Sequence, residues 1–431
     1  MGSARCVRRA FSPLDEELQL LPGQLTPSLQ EDLVRLCAWM PFGRAAQELR
    51  HFRHTDISRP TVERVTEAAG AAYEAMQSAE VQRIEREAPP TPAGPTRQLL
   101  SVDGAMVPLV GGEWAEVKTL LIGEVQRPVE VKGEQVIRTA NHSYFSRLSD
   151  ATTFQRLALV ETHRRGVETA QAVGAVNDGA EWIQDFVDFH RPDAVRILDF
   201  PHAGEHLNVV GQTLFGEGSP QAQSWLSGQL HELKHRGPTQ VLAEVRSWVA
   251  MRPDQPELTT QLSYLEKRVA HMAYPAFQAA GWPIGDGAVE SGNKLVVEAR
   301  LKGSGMHWAR CHVNPMLALR NIVCSDRWEE AWPQIARTLC QQEQLRRQKR
   351  RHQRRALAIA QPLLPAESVP APRAQQIVAP AVGSVASVIP CPSDQATHDQ
   401  PWRPAANHPW RHMPIGRARF RPTTNNTGAK P

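Results

Sequence analysis

Three short apolar runs in the middle of this chain each end at an aspartate: residues 99–102 before Asp103-Gly104, 173–177 before Asp178-Gly179, and 194–198 before Asp199. Apolar runs of this length, bounded by turn residues, read as strands, and two more candidates lie between them, 116–125 (EVKTLLIGEV) and 136–145. Helical sequence fills 150–170 and the stretch through Trp182, Ile183, Phe186 and Phe189. The order three strands, helix, strand, helix, strand predicts a mixed α/β sheet with acids at the C-terminal ends of strands, where open sheets collect their ligand chemistry. From 202 to about 274 the pattern turns helical, with Trp225, Leu242, Val245, Trp248, Leu262 and Leu265 as core candidates ahead of one further helix.

That helix, 288–302, follows the turn Gly285-Asp286-Gly287 and is stopped by Gly303 and Gly305, which tolerate the left-handed conformation at a helix C-terminus. It carries Glu290 early and Asn293, Lys294, Arg300 and Lys302 further along. An early acid with cations behind it suits a site that takes metal and polyanion together, and equally suits a simple partner for the helix dipole. Asp103, Asp178 and Glu290, remote in sequence, are carboxylates that can converge to hold two divalent cations for an in-line phosphoryl displacement. Mg2+ (or Mn2+) suits such all-oxygen ligands. Asp-Gly is also a favoured turn dipeptide, so the pattern by itself leaves both readings open. Asp199 is the alternative second acid, since it too ends a strand and precedes helical sequence. Otherwise Asp199 and His202 support the site from beside it.

Ahead of the strands, residues 27–75 read as two short helices, a turn, and a third helix capped by Ser58 with Pro60 in its first turn. Val62, Val65 and Ala69 face inward there and Arg59, Thr61 and Arg64 outward, which fits a helix-turn-helix entering a DNA groove and also fits a small helical bundle. Residues 88–98, with the proline-rich APPTPAGPT, read as an extended linker. The expected organisation is therefore a helical DNA-binding region at 1–87, the linker, a catalytic domain at 99–325 with a helical insertion at about 204–280, and a helical segment at 326–361. The last of these carries basic residues from Arg346 to Arg355; the Pro/Ala/Ser/Gln-rich residues 362–431 are expected to be disordered. Net charge is only +4, from 49 basic and 45 acidic residues, so the chain is no global polycation. Six scattered cysteines without a CxxC pair argue against a disulfide framework or zinc ribbon. With no signal-peptide pattern and no membrane-length apolar run, a cytoplasmic, nucleoid-associated protein is expected.

Taken as an ordered set, several segments resemble the DDE transposases of bacterial insertion sequences, in the Mutator-like group and its ISKra-type branch. They are SVDGAMVPL (101–109) with EWAEVKTLLIGEV after it, AVNDGAEWI (175–183), ILDFPHAGEHL (197–207), the long stretch from YLEKRVAHMAYPAF to GMHW (264–308), and MLALRN (316–321). The resemblance runs from about 55 to 321, with a weaker echo, HPWR, at 408–411. It implies an RNase H-like fold with a helical insertion before the last acid. It also implies a metal-binding catalytic triad of Asp103, Asp178 and Glu290, two Mg2+ (or Mn2+) ions, and Asp199 with His202 as the Asp-x-x-His motif. The implied partners are double-stranded DNA, both the element's inverted repeats and its target, and further copies of the chain in a synaptic complex. Arg59, Thr61, Arg64, Lys294, Arg300 and Lys302 become the candidate DNA contacts. Asp286 and Ser291-Gly292-Asn293 depart from the family's usual pattern beside Glu290.

Overall fold

The computed structural model describes residues 25–131 and 134–360, so the expected disorder of 362–431 lies outside the described residues. Three helices lead: α1 (Pro27–Trp39), α2 (Phe42–Arg53) and α3 (Arg59–Glu87). Pro27 and Pro60 occupy first-turn positions of α1 and α3, where a missing N–H costs nothing. Thr26 caps α1 by accepting the Leu29 amide, whereas Ser58 at the start of α3 turns its hydroxyl to Thr61 instead. At 29 residues α3 outruns the expected helix-turn-helix boundary near 75.

Next come β1 (Arg97–Pro108), β2 (Trp114–Val125), a two-stranded ribbon of β3 (Val129–Val131) and β4 (Glu134–Val136), and β5 (Thr139–Arg147). They are followed by α4 (Ala151–Leu157), α5 (Leu159–Arg164), β6 (Ala172–Asn177), α6 (Glu181–His190) and β7 (Val195–Leu198). The five-stranded sheet has the order β5-β2-β1-β6-β7. Strand β2 runs antiparallel to both β1 and β5, and β6 and β7 run parallel to β1. This is a mixed α/β architecture. Alternation along the strands supplies both faces: Leu100, Val102, Leu120 and Ile122 pack with Phe154, Ile183 and Phe186 of α4 and α6, while Leu99, Ala105, Val107 and Leu121 point to the opposite core.

That opposite core is covered by α7 (Phe200–Phe215), α8 (Pro220–Arg236), α9 (Pro238–Met251), α10 (Pro256–Lys267) and α11 (Tyr274–Ala279). Then follow α12 (Gly287–Asn293), a π-helical turn Lys294–Glu298, and α13 (Ala299–Leu301). Last are α14 (Arg310–Cys324) and α15 (Trp328–Ala360). A third core joins the first three helices to α14 and α15, with Leu33, Cys37, Leu49, Val62 and Val65 packed against Leu319, Ile322, Trp328 and Ile335. The N-terminal helices are thus built into the body through α14 and α15. Residues 88–96 form neither helix nor strand, and they are pinned rather than loose. Thr169 receives the Gly94 amide at 2.8 Å, and the Gln171 and Ala172 amides bond Pro95 and Thr96. Among the described residues, no helix is long and apolar enough to cross a membrane.

Candidate functional site

Strand β1 pairs with β6 only as far as Leu100 opposite Ala175. There the ladder gives way to a side chain, as Asn177 accepts the Val102 amide at 2.6 Å. Beyond that point β1 continues on β2 alone, with Asp103 opposite Thr119. Asp103 therefore does not end its strand, as the Asp-Gly pair suggests, but stands in the middle of it. It nonetheless lies just past the end of the parallel pairing, in the notch where β1 and β6 part. Asp178, the residue after β6, stands on the other side of that notch.

The third acid arrives on α12. Gly292 lets this helix press on the sheet, for a Cβ there would come 2.8 Å from the Tyr144 ring. Asn293 then donates to Asp103 Oδ2 at 2.8 Å, while Glu290, one turn earlier, keeps its side chain half exposed. Burial raises the Asp103 pKa; the Gly104 amide at 2.7 Å and Asn293 oppose the rise, and the charges of Asp178 and Glu290 add to it. Elements distant in sequence thus bring Asp178 and Glu290 within electrostatic reach of Asp103.

Two further acids crowd the same place. Asp199, almost fully buried, accepts the His202 amide on Oδ2 and the Asp286 amide on Oδ1, both at 2.8 Å. It is the N-cap of α7, which accounts for the Asp-x-x-His spacing: the His202 backbone, not its ring, meets the carboxylate. The His202 ring lies 3.3 Å from Glu205 instead. Burial raises the Asp199 pKa against these two bonds. Asp286 is pushed up to about 8, first by burial and then by the charges of Asp199, Asp103 and Glu290. Asp178 is more open and accepts the Ala180 amide at 2.9 Å. Its own carbonyl takes the Tyr264 hydroxyl, and Arg268 clamps the Gly179 carbonyl at 2.7 and 3.0 Å. The Arg268 guanidinium and the His206 ring both lie 3.7 Å from the Tyr264 ring centre. Sequence reasoning missed Tyr264, Arg268 and Asn177; no local pattern marks them, because each acts through a contact made by the fold.

The candidate DNA contacts divide. Lys294 is exposed, 3.9 Å from Glu290, and Lys302 is tied to Glu298 at 2.7 Å. Arg59 and Arg64 are exposed at the start of α3, Arg59 paired with Glu63, and Thr61 is half-buried. Arg300 is a correction. It is 2% exposed, bonds the Cys37 carbonyl at 2.8 Å and lies between Phe42 and Trp308, so it cannot reach a nucleic acid.

No group of three His, Cys, Asp or Glu side chains among the described residues is arranged as it stands to hold a metal ion. The donors themselves suit a hard divalent cation, being carboxylate oxygens only. Their mutual repulsion, together with a buried Asn293 Oδ1 that lacks a hydrogen-bond partner, describes a negative pocket that a cation would relieve. Neither a protein-family model nor a curated protein matches this chain.

Proposed function

We propose that this chain is a DDE transposase. On this reading it binds the terminal inverted repeats of an insertion sequence, hydrolyses a phosphodiester at each end and joins the freed 3′-OH to target DNA. One observation carries it: Asp178, at the end of the parallel neighbour strand, and Glu290, on a late helix, both lie within electrostatic reach of Asp103 on the central strand. The order β5-β2-β1-β6-β7 agrees with an RNase H-like fold, in which the fourth strand carries the second acid. The helices from α7 to α11 stand where that family has its insertion. The motif resemblance from 55 to 321 points the same way.

Two Mg2+ (or Mn2+) ions held by Asp103, Asp178 and Glu290 would polarise the attacking oxygen and stabilise the leaving one. The chain's own residues prepare that site. Asn293 fixes the rotamer of Asp103. Asp199, almost fully buried and bonded on both oxygens by backbone amides, braces the start of α7 and the turn before α12, whereas Asp178 is more open. This favours Asp178 over Asp199 as the second acid. Lys294 gives a phosphate an exposed cation beside Glu290. Arg59, Thr61 and Arg64 serve recognition of the inverted repeats, as a helix-turn-helix would, and synapsis of two ends calls for more than one copy of the chain.

A strand-transfer assay tests this, with DNA taken from the flanks of the coding frame and Mg2+ as the ion. Joined products support it. Nicks without joining indicate an RNase H-like nuclease, and binding without cleavage indicates a DNA-binding protein that has lost the chemistry.

A further inference from the structure

Two buried guanidinium groups tie the N-terminal helices to the helix of Glu290, and among the described residues no carboxylate pairs with either. Arg300 sends Nε to the Cys37 carbonyl at 2.8 Å. Arg320 of α14, 1% exposed, sends Nη1 to the Ala38 carbonyl at 2.8 Å, Nε to the Val296 carbonyl at 3.1 Å and Nη2 to the Leu295 carbonyl. Trp39 lies over the same guanidinium, its ring centre 4.6 Å away. Cys37 and Ala38 belong to the last turn of α1, where carbonyls lack helical donors and the helix dipole favours a cation. Leu295 and Val296 belong to the π turn that follows Glu290.

A π turn holds one residue more than an α turn. It rotates the helix ahead of it by about 100° relative to the helix behind, and such turns recur at functional sites. Here the part ahead carries Glu290 and Asn293 to the acids, while the part behind buries Arg300 and Leu301. Burying a cation without a counter-charge is costly, and an apolar side chain would fill the same space at lower cost. The two arginines are therefore poorly explained as packing alone.

We propose that Arg300 and Arg320 are positioning residues. They hold the π turn against the end of α1, so that the seating of the N-terminal helices sets the direction in which Glu290 meets Asp103 and Asp178. The role given to those acids rests on the transposase reading; the strut itself does not.

The experiment compares Arg320→Met, Arg320→Lys and, as a control for a buried arginine elsewhere, Arg147→Met, all in the full chain. Hydrogen exchange in Arg320→Met should rise about tenfold or more at both 36–40 and 294–301, with α6 and α9 unchanged. Arg320→Lys, which keeps the charge but reaches fewer carbonyls, should fall between, and Arg147→Met should leave both segments at the wild-type rate. Turnover on end DNA should drop roughly 10–100-fold in Arg320→Met with KM unchanged, as for loss of an outer partner of a metal site, and Arg320→Lys should recover part of it. A rise at 36–40 alone, an equal rise throughout the chain, or the same pattern from Arg147→Met overturns the proposal. If Arg320→Met does not fold, Arg320→Lys decides by the same two segments. If the wild type cuts no DNA, it is the transposase reading that fails, and the exchange data still decide the strut.

Discussion

Replacing Asp286 with asparagine should make the metal-free protein more stable, and increasingly so as pH rises. Asp286 is 6% exposed, touches Asp199, and is pushed from 3.8 to about 8 by burial and by the charges of Asp199, Asp103 and Glu290. The folded value lies above the unfolded one. Its stabilising contribution is therefore complete below about 3.8 and is lost as pH climbs towards about 8. Between pH 5 and pH 8 the ceiling on that loss is about 4 kcal/mol, at about 1.36 kcal/mol per pH unit. Asp286 and Asp199 share their charge, and water entry relaxes the cluster, so about 2 kcal/mol is the expected value. Asparagine has the shape of the neutral acid and keeps the backbone amide that Asp199 accepts. Urea unfolding of wild type and Asp286→Asn in EDTA at pH 5 and pH 8 measures the difference. The advantage of the variant should grow by about 2 kcal/mol across that window, and Mg2+ should shrink the growth by binding the folded charges. An advantage that stays flat or falls with pH would refute the reasoning.

Asp103→Asn, Asp178→Asn and Glu290→Gln should keep end-DNA binding and lose cleavage below detection, while Asp199→Asn cuts with a roughly 10–100-fold deficit. A dead Asp199→Asn beside an active Asp178→Asn would exchange their roles. Gly292→Ala, which sets a methyl 2.8 Å from the Tyr144 ring, should cost about 1–3 kcal/mol in thermal or urea unfolding. Arg59→Ala and Arg64→Ala should each weaken binding to the inverted repeats by about 1–3 kcal/mol and relax specificity locally, read by mobility shift against mutated repeats.

The strands were legible because short apolar runs bounded by turn residues are local properties, and the helix of Glu290 because glycines bracket it. Asp103 was misplaced within its strand for a non-local reason. Whether a strand stops at an Asp-Gly pair depends on whether a neighbour continues beside it, and β2 does so as far as Trp114 opposite Pro108. Arg300 was misread because a cation on a polar-looking helix reads as solvent-facing until another helix covers it. That cover is α1, more than 250 residues earlier in the chain. The proline-rich 88–98 segment was read as a linker between modules because its composition shows stiffness, not what it lies against. The close approach of Gly94 to the backbone of Gly166 and Ala170 has no signal in sequence at all.

The acids around the notch can be sorted by physics without reference to any family. There are five, and a pocket with five full negative charges would not fold without counter-ions. Asp199 is almost fully buried and bonded by two backbone amides, which ties it to the start of α7 and the turn before α12. Asp286 is pushed to about 8, so at neutral pH it is mostly uncharged and adds little to the field. What remains is Asp103, Asp178 and Glu290. Asp103 is oriented by an amide from the helix that bears Glu290, Asp178 has one oxygen held by the Ala180 amide, and Glu290 is exposed at 54%. On the transposase reading these are the three left to close on a cation, and they are the three to which the motif resemblance gives that role. The departure at Asp286 then has a physical place. If the chain is such a transposase, an acid is tolerated at this position because burial and the neighbouring carboxylates keep it protonated, and it disturbs the site only under conditions that strip that proton.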